Sequence, residues 1–293
     1  MMFTKPIDLQ VVEWRDRGSF FKWRDFQIFY RDEGKGPPLL LLHGFPTSSW
    51  DWRKLWPTWA RSFRVMAVDF LGFGFSNKPR FHPYSLIEQA DLIEYFVRVH
   101  GVPEIRILAH DYGVSVAQEL MARAYESGRL KFKINSVVFL NGGLFPECHR
   151  PFMVQKLLAS PMGPFLSPLI TESLFLRSLR ATFAIHHGLQ DGDLKGYWQI
   201  LNVDDGRRVL HRLIGYLQER WRHRERWVGA MQTPLIPKLF IVGGEDSISG
   251  SQMATRYREL VPNPIIELLP NVGHYPQLES PELVSAALAR NGW

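Results

Sequence analysis

The stretch Ile105-Arg-Ile-Leu-Ala-His-Asp-Tyr-Gly-Val-Ser115 decides the predicted fold. It begins as an apolar run typical of a buried strand and leads into residues 114–124, where apolar side chains recur at helical spacing. Asp111 lies between strand and helix, with Ala109 and Gly113 two residues away on either side. Such small neighbours suit a sharp turn that holds its central side chain in a strained conformation. The pattern predicts a nucleophile elbow, although an isolated aspartate before a helix is more often an N-cap.

Strands and helices alternate on both sides of this elbow. Further strands are predicted at 18–23, 26–31, 39–42, 63–68, 134–140, 238–242 and 265–269, and further helices at 86–99 and 281–290. Several of these strands are apolar at every position, which is typical of strands buried on both faces of a parallel sheet. The alternation therefore predicts an α/β protein with a mostly parallel, eight-stranded sheet flanked by helices.

The alternation is interrupted between residues 143 and 230, where helix-compatible segments follow one another without an obvious strand. Open α/β sheets bind ligands at the carboxyl ends of their strands. We therefore predict a helical cap at 143–230, inserted after the sixth strand between core segments 1–142 and 231–293. The cap would contribute apolar residues to a substrate cavity, namely Phe145, Phe152, Met153, Leu157, Phe165 and Trp198.

The turn His43-Gly-Phe-Pro46 directly follows the third predicted strand. On its own it is equally well explained as an ordinary Gly-Pro turn. Beside the elbow, however, the backbone N–H groups of Phe45 and Tyr112 can point toward one oxygen atom. We predict that these two groups form an oxyanion hole.

Two later loops carry the remaining polar groups of a catalytic triad. Asp246 ends the run Val-Gly-Gly-Glu-Asp after a strand, and His274 lies in the loop Asn-Val-Gly-His-Tyr-Pro before the last helix. Each feature alone is common, but the order nucleophile, acid, histidine is that of the α/β-hydrolase arrangement. The sequence predicts this fold, with Asp111, Asp246 and His274 as the triad.

Composition narrows the classes of function. The 293 residues are 45% hydrophobic, which suits one large domain with an insertion. The net charge is +6, and part of the basic excess lies in residues 220–226, which we interpret as a solvated helix face rather than a nucleic-acid site. The single Cys148 excludes an internal disulfide and a CxxC metal site.

The N-terminus lacks the apolar core of a secretory signal, and no run is long enough to span a membrane. The histidines show no metal-ligand spacing. We expect a cytoplasmic protein that uses neither metal nor organic cofactor and binds no nucleic acid, and a homodimer is left open.

The quoted motifs resemble the epoxide hydrolase and haloalkane dehalogenase branch of the α/β-hydrolases, over nearly the whole chain. Within it, the chain resembles the mesoderm-specific transcript group of epoxide-hydrolase-like proteins. The runs that carry this second resemblance are LLHGFPTSSWDW, DFLGFGFSNKP, HDYGVSVAQEL, NGGLFPECHRP and RERWVGAM.

An aspartate at the elbow suits displacement of a leaving group at a saturated carbon, which leaves an alkyl ester on the enzyme. His274, supported by Asp246, would then activate the water that hydrolyses the ester. An epoxide oxygen needs a proton donor as it leaves, and the resemblance implies that Tyr216 in the cap supplies it. We expect the substrate to be a small hydrophobic epoxide, opened to a vicinal diol.

The chain departs from the family pattern in one respect, because it has no second tyrosine early in the cap, between Tyr125 and Tyr197. The missing donor is left open among Tyr197, His149, His186 and His187. We expect the substrate to contact Tyr197, Trp198, His149 and Phe145.

Two other functions stay open. Haloalkane dehalogenases resemble one another in placing a tryptophan beside the nucleophile to bind halide, and this chain has Tyr112 there. A phenol also donates a hydrogen bond, so dehalogenation by the same triad is an alternative. An alternative of another class is a binding or regulatory module that keeps the fold without turnover.

Overall fold

A computed structural model describes residues 8–126, 128–185 and 191–293 of the chain. It contains one sheet of eight strands in the order β1-β2-β4-β3-β5-β6-β7-β8. The first two strand pairs are antiparallel and the others parallel, which confirms the predicted sheet. The strands are β1 Ser19–Trp23, β2 Phe26–Glu33, β3 Pro38–Leu42, β4 Arg64–Val68, β5 Glu104–Ala109, β6 Lys133–Phe139, β7 Lys238–Gly243 and β8 Ile266–Leu269.

Helices cover the sheet and fill the long connection between β6 and β7. They are α1 Leu9–Asp16, α2 Trp56–Trp59, α3 Leu86–Val99, α4 Tyr112–Tyr125, α5 Met153–Leu158, α6 Gly163–Leu166, α7 Glu172–Arg180, α8 Asp191–Leu201, α9 Leu210–Leu213, α10 Tyr216–Arg222, α11 Arg224–Gln232, α12 Ser251–Leu260, α13 Pro276–Glu279 and α14 Pro281–Arg290. Short 3₁₀ turns connect several of them. The predicted helices at 86–99 and 281–290 have the bounds of α3 and α14.

The sheet register brings the candidate catalytic loops to one edge. Leu42 at the end of β3 pairs with Ala109 at the end of β5, and Ala109 pairs with Phe139 of β6. Phe139 in turn pairs with Phe240 in β7. Because these strands are parallel, the loops that follow β3, β5, β6 and β7 leave the sheet on the same side.

The predicted cap boundary at residue 230 divides α11, and the structure argues against it. Trp227 on α11 donates its indole N–H to Glu119 of α4, with a nitrogen to oxygen distance of 2.9 Å. Arg226 forms an ion pair with the same carboxylate at 2.8 Å. Since α11 lies on the core helix α4, we propose that the cap ends near residue 222.

The interpretation of residues 220–226 as a solvated face is wrong for Arg220, which is only 1% exposed. Helices repeat every 3.6 residues, so a run of basic residues cannot lie entirely on one face. Arg220 faces inward, while Arg222 on the same helix is exposed. None of the helices in the described ranges is long and apolar enough to cross a bilayer.

Candidate active site

Asp111 occupies the strained turn that the sequence predicts. It has φ 44° and ψ −101° and lies between β5 and α4. Such a conformation is unfavourable for a residue with a side chain and is typical of functional sites. Gly113 allows the turn, since a Cβ there would lie 2.5 Å from the carbonyl oxygen of Leu42. The elbow thus presents a buried carboxylate at the carboxyl edge of the sheet.

The backbone N–H of Phe45 donates to Oδ2 of Asp111 at 3.0 Å. Tyr112 is the first residue of α4, so its N–H belongs to the helix turn whose N–H groups lack an intrahelical partner. The positive end of the helix dipole adds to the field at this point. Of the two predicted oxyanion donors, the Phe45 N–H therefore bonds the Asp111 carboxylate, and the Tyr112 N–H is that of the next residue along the chain.

His274 and Asp246 form a buried pair. Nδ1 of His274 lies 2.8 Å from Oδ2 of Asp246. The same carboxylate accepts hydrogen bonds from the Ser249 hydroxyl at 2.7 Å, the Ile248 N–H at 2.7 Å and the Asn141 amide at 2.8 Å. Asp246 can therefore fix the orientation of His274 and leave its Nε2 to accept a proton.

The pKa values of this pair have opposite shifts. Burial opposes ionisation of Asp246, but the charge and hydrogen bond of His274 lower its pKa below the ordinary range. Burial would lower the pKa of His274, but Asp246, and to a smaller extent Asp111, raise it to about 9. In the free protein at neutral pH, His274 is therefore protonated, and the carboxylates of Asp246 and Asp111 are ionised.

Glu279 holds the loop that carries His274. Its carboxylate accepts the N–H groups of Gly273 at 2.8 Å, Tyr275 at 3.0 Å and Ala184 at 3.0 Å. Gly273 and Tyr275 are the two neighbours of His274, and Ala184 belongs to the inserted segment. Sequence reasoning missed Glu279, because an acid in a short helix has no signature that separates it from a surface residue.

Arg220 is the second group that sequence reasoning missed. From α10 it donates to the main-chain oxygen of Asp111 at 2.8 Å and to the Ser115 hydroxyl at 2.9 Å. Its Nη2 also lies 3.5 Å from Oδ1 of Asp111. Burial opposes ionisation of Asp111, but the Arg220 charge, followed by that of His274, lowers its pKa. In the sequence, the only indication of this role is that Arg220 lies four residues after Tyr216, so the two share one face of a helix.

A narrow, mostly apolar cavity opens onto Asp111 and His274. Its floor includes Phe45, Ile248 and Tyr275 from the core. Its roof comes from the segment between β6 and β7, through Phe152, Val154, Gln155 and Leu158 near α5, Ile170, Leu174, Phe175, Ser178, Leu179 and Thr182 near α7, and Leu210. The cavity therefore suits a small hydrophobic substrate.

The four residues predicted to contact substrate, Tyr197, Trp198, His149 and Phe145, do not line this cavity as the described residues form it. Tyr197 accepts a hydrogen bond from Arg53 at 2.9 Å, and Trp198 packs behind the cavity residue Phe175. The ring of Phe145 packs against Tyr257. Phe145 and His149 flank the 3₁₀ turn Pro146–Cys148, and all four residues lie outside the cavity lining.

The other expected lining residues divide in a similar way. Phe152 lines the cavity, whereas Met153, Leu157 and Phe165 are exposed. His186 and His187 lie outside the described residues. Burial, followed by the charge of Arg220, lowers the pKa of His149 to about 3, so its ring is neutral.

Tyr216 lies beside the nucleophile, behind the cavity wall. Its ring packs against those of Phe45 and Tyr112, with centroid distances of 5.6 and 5.3 Å. Its hydroxyl accepts a hydrogen bond from the Gln155 side-chain amide at 3.3 Å. Burial and the Asp111 charge raise the pKa of Tyr216 well above its ordinary value, so the hydroxyl stays protonated.

The orientation of the Gln155 amide follows from its other bond. Its oxygen accepts the backbone N–H of Phe152 at 2.8 Å, which leaves the amide nitrogen for Tyr216. Because Gln155 donates in that contact, the hydroxyl hydrogen of Tyr216 is not used there. Gln155 itself lines the cavity and has a second N–H.

No cluster of three or more metal-ligating side chains occurs within the part of the chain that the structure describes. The polar side chains that line the cavity are Asp111, His274, Gln155, Ser178 and Thr182, and Asp246, Tyr216 and Arg220 contact them from behind. Together they can perform nucleophilic displacement followed by base-assisted hydrolysis.

The family model described as "Alpha/beta hydrolase family" matches residues 39–287. The chain is 41% identical to the mesoderm-specific transcript homolog protein of Bos taurus, over 92% of this chain and 83% of the other. It is 40% identical to LipZ of Mycobacterium tuberculosis, over 94% of this chain and 96% of the other.

Among solved structures, haloalkane dehalogenase DatA from Agrobacterium tumefaciens C58 superposes with a TM-score of 0.78 at 23% identity, covering 93% of this chain and 94% of the other. At this identity the likeness concerns the fold. The family match extends over most of the sequence and includes the elbow, the acidic turn and the histidine loop. The chain therefore belongs to the alpha/beta hydrolase family.

Proposed function

We propose that this hydrolase opens small hydrophobic epoxides to vicinal diols through a covalent ester on Asp111. The observation that carries the proposal is the donor chain from Phe152 through Gln155 to Tyr216, because it leaves one Gln155 N–H in the cavity and the Tyr216 hydroxyl hydrogen unused directly behind it. An epoxide oxygen leaves as an alkoxide and needs such a donor. Gln155 supplies the second donor in place of the missing tyrosine.

In the first step, Oδ1 of Asp111 attacks an epoxide carbon while Oδ2 stays bonded to the Phe45 N–H. A carbon–oxygen bond forms to Asp111 and the ring carbon–oxygen bond breaks. The electron pair goes to the epoxide oxygen, which takes the proton of Tyr216 and a hydrogen bond from Gln155. The low pKa of Asp111 keeps the nucleophile ionised at neutral pH.

In the second step, water attacks the carbonyl carbon of the Asp111 ester and His274 takes a proton from that water. The resulting oxyanion faces the N–H groups of Phe45 and Tyr112. Collapse breaks the bond between the carbonyl carbon and the alkoxy oxygen, and the alkoxide takes the proton of the newly added hydroxyl, which releases the diol and leaves Asp111 as a carboxylate. The proton that His274 gave up before it acted as a base restores the Tyr216 hydroxyl, and the proton that it took from water returns His274 to its protonated form.

Ester formation itself prepares His274 for this role. The pKa of His274 is about 9 partly because Asp111 is negatively charged. Once Asp111 is an uncharged ester, that contribution disappears and the pKa of His274 falls. The imidazole then loses its proton more readily, just when a base is required.

Dehalogenation is the second candidate, since the haloalkane dehalogenase DatA has the same fold. Against it, the Tyr112 ring packs between Phe70 and Phe73 and does not reach the cavity as the described residues form it. The Tyr112 hydroxyl is hydrogen-bonded to Gln89, whereas that of Tyr216 bonds to the cavity residue Gln155, so Tyr112 is the poorer donor to a halide in the cavity.

Turnover of a racemic aryl epoxide and of a bromoalkane, followed by diol and halide assays, tests the choice. We expect diol from the wild type, no diol from Asp111→Asn and little halide from either. Halide release without diol would replace the proposal with dehalogenation. Silence on both substrates would favour a non-catalytic role.

A further inference from the structure

Arg220 connects the inserted segment to the catalytic elbow through three contacts. It bonds the Asp111 main-chain oxygen at 2.8 Å and the Ser115 hydroxyl at 2.9 Å, and it approaches Asp111 Oδ1 at 3.5 Å. An arginine that is 1% exposed carries a large desolvation cost unless its charge is used. The triad and oxyanion hole do not account for a buried cation at this position.

The guanidinium is confined on its remaining sides. Its carbon lies 4.5 Å from the centroid of the Tyr216 ring, in cation–π contact. A Cβ at Gly143 would lie 2.3 Å from Nη1, so the glycine makes room for the group. These contacts hold the Arg220 guanidinium in place beside Asp111.

We propose that Arg220 is a positioning residue that selectively accelerates hydrolysis of the Asp111 ester, an inference that rests on the proposed two-step function. Arg220 affects ester formation and ester hydrolysis differently. An interaction accelerates a step only if it is stronger in the transition state than in the preceding ground state.

In the first step the cation stabilises the ground state. The Asp111 carboxylate carries its full charge before attack, and this charge moves toward the epoxide oxygen in the transition state. Arg220 therefore keeps the nucleophile ionised and oriented but does not lower the barrier to attack.

In the second step the charges change in the opposite direction. The ester is neutral, which leaves the buried guanidinium without its counter-ion. Attack of water then restores a negative charge on the Asp111 carbonyl group, close to the donors of the oxyanion hole. The cation lies 3.5 Å from Oδ1, in the same carboxyl group as the developing charge, and it stabilises this transition state more than the neutral ester that precedes it.

The same cation affects the base. The titratable groups that interact with His274 are Asp246, Asp111, Glu279, His110 and His149, and the Arg220 charge acts on Asp111 beside it. Asp246, Asp111 and Glu279 raise the pKa of His274. In the ester, Asp111 is neutral while Arg220 keeps its positive charge. Arg220 therefore favours the neutral imidazole in the second step.

The test measures both steps in single-turnover reactions of an aryl epoxide, using acid quench and intact-protein mass spectrometry. Arg220→Gln removes the charge and keeps an N–H donor, whereas Arg220→Lys keeps the charge. Arg222→Gln on the exposed face of α10 is the matched control.

We expect Arg220→Gln to slow ester hydrolysis on the order of 10²-fold, similar to loss of one oxyanion donor, and ester formation less than tenfold. The ester then accumulates, and the pH midpoint of its hydrolysis shifts upward. Arg220→Lys recovers most of the hydrolysis rate, and Arg222→Gln behaves as wild type.

Equal slowing of both steps in Arg220→Gln, or an unchanged pH midpoint, would overturn the proposal and leave a structural role. Should Arg220→Gln not fold, Ser115→Ala removes one anchor of the guanidinium and keeps its charge in the protein. It should slow hydrolysis several-fold and formation not at all, and the opposite order would overturn the proposal. Failure of the wild type to form any ester would instead refute the proposed function.

Discussion

Glu279 offers a sharp test of how the His274 loop is held. Its Oε2 accepts the N–H groups of Gly273 and Ala184, and its Oε1 accepts that of Tyr275. In Glu279→Gln the side chain keeps its shape but has only one acceptor oxygen. In its best orientation the amide keeps two of the three bonds and turns its own N–H toward the N–H of Tyr275.

The expected cost follows from this count. A hydrogen bond to a charged group contributes about 1.5–3 kcal/mol, and an unpaired buried donor costs a similar amount. Burial raises the pKa of Glu279, so removing its charge recovers part of that loss. We therefore expect Glu279→Gln to lower the free energy of unfolding by about 2 kcal/mol.

Urea unfolding at pH 8 measures this change, with Glu282→Gln as the control. Glu282 lies on the exposed surface of α14 and should change stability by less than about 0.5 kcal/mol. Glu279→Gln should also slow ester hydrolysis, because the His274 loop loses a support. Equal stability of the two variants would refute the view that the Glu279 carboxylate holds the loop.

Two further predictions concern the cap donors and the triad. Tyr216→Phe should slow epoxide opening about 10²-fold in single-turnover kinetics while leaving ester hydrolysis nearly unchanged, and equal slowing of both steps would contradict its role as proton donor. NMR of labelled histidine should show His274 in the free protein losing its proton near pH 9, and Asp246→Asn should move that midpoint down. Because the pKa of His274 is raised on folding, its pairing with Asp246 stabilises the protein fully below its unfolded pKa, and this stability is lost as pH rises through about 9. An unshifted midpoint in Asp246→Asn would contradict the pairing.

The sheet was predictable because several of its strands are continuous apolar runs, which few other structures accommodate. The eight predicted strands agree with β1 to β8 to within two residues at each end. Helix α1 was not predicted, because it has no marked apolar face. Its N-cap is Asp8, whose side chain accepts the backbone N–H of Gln10. A hydrogen bond from the Trp14 indole to the Ser49 hydroxyl at 3.2 Å helps to hold the helix. Such a long-range contact leaves no local pattern.

The three residues of the candidate triad were predictable for a related reason. Asp111, Asp246 and His274 follow strand ends, and the geometry of a parallel sheet brings strand ends together. Cap residues have no such constraint, which is why Tyr197 and Phe145 were misplaced. Gln155 and Arg220 were missed because their roles depend on which way short helices face.

Asn141 shows the same limit within the core. Its side chain forms hydrogen bonds with both Asp246 and the backbone of Gly243. Its main-chain carbonyl oxygen accepts the N–H of Asp111 at 2.8 Å. It thereby ties the nucleophile loop to the acid loop. In the sequence it is one polar residue after a strand, a position where turn residues are common.

The central claim is that Asp111 itself becomes esterified, and a single turnover of an aryl epoxide in H₂¹⁸O tests it most directly. Mass spectrometry of the peptide that contains residue 111 and of the released diol locates the isotope. Covalent catalysis predicts ¹⁸O in Asp111 and an unlabelled diol from the first turnover, because the diol takes its new oxygen from the carboxylate. Label in the diol and none in Asp111 would contradict the account and show direct attack of water on the epoxide.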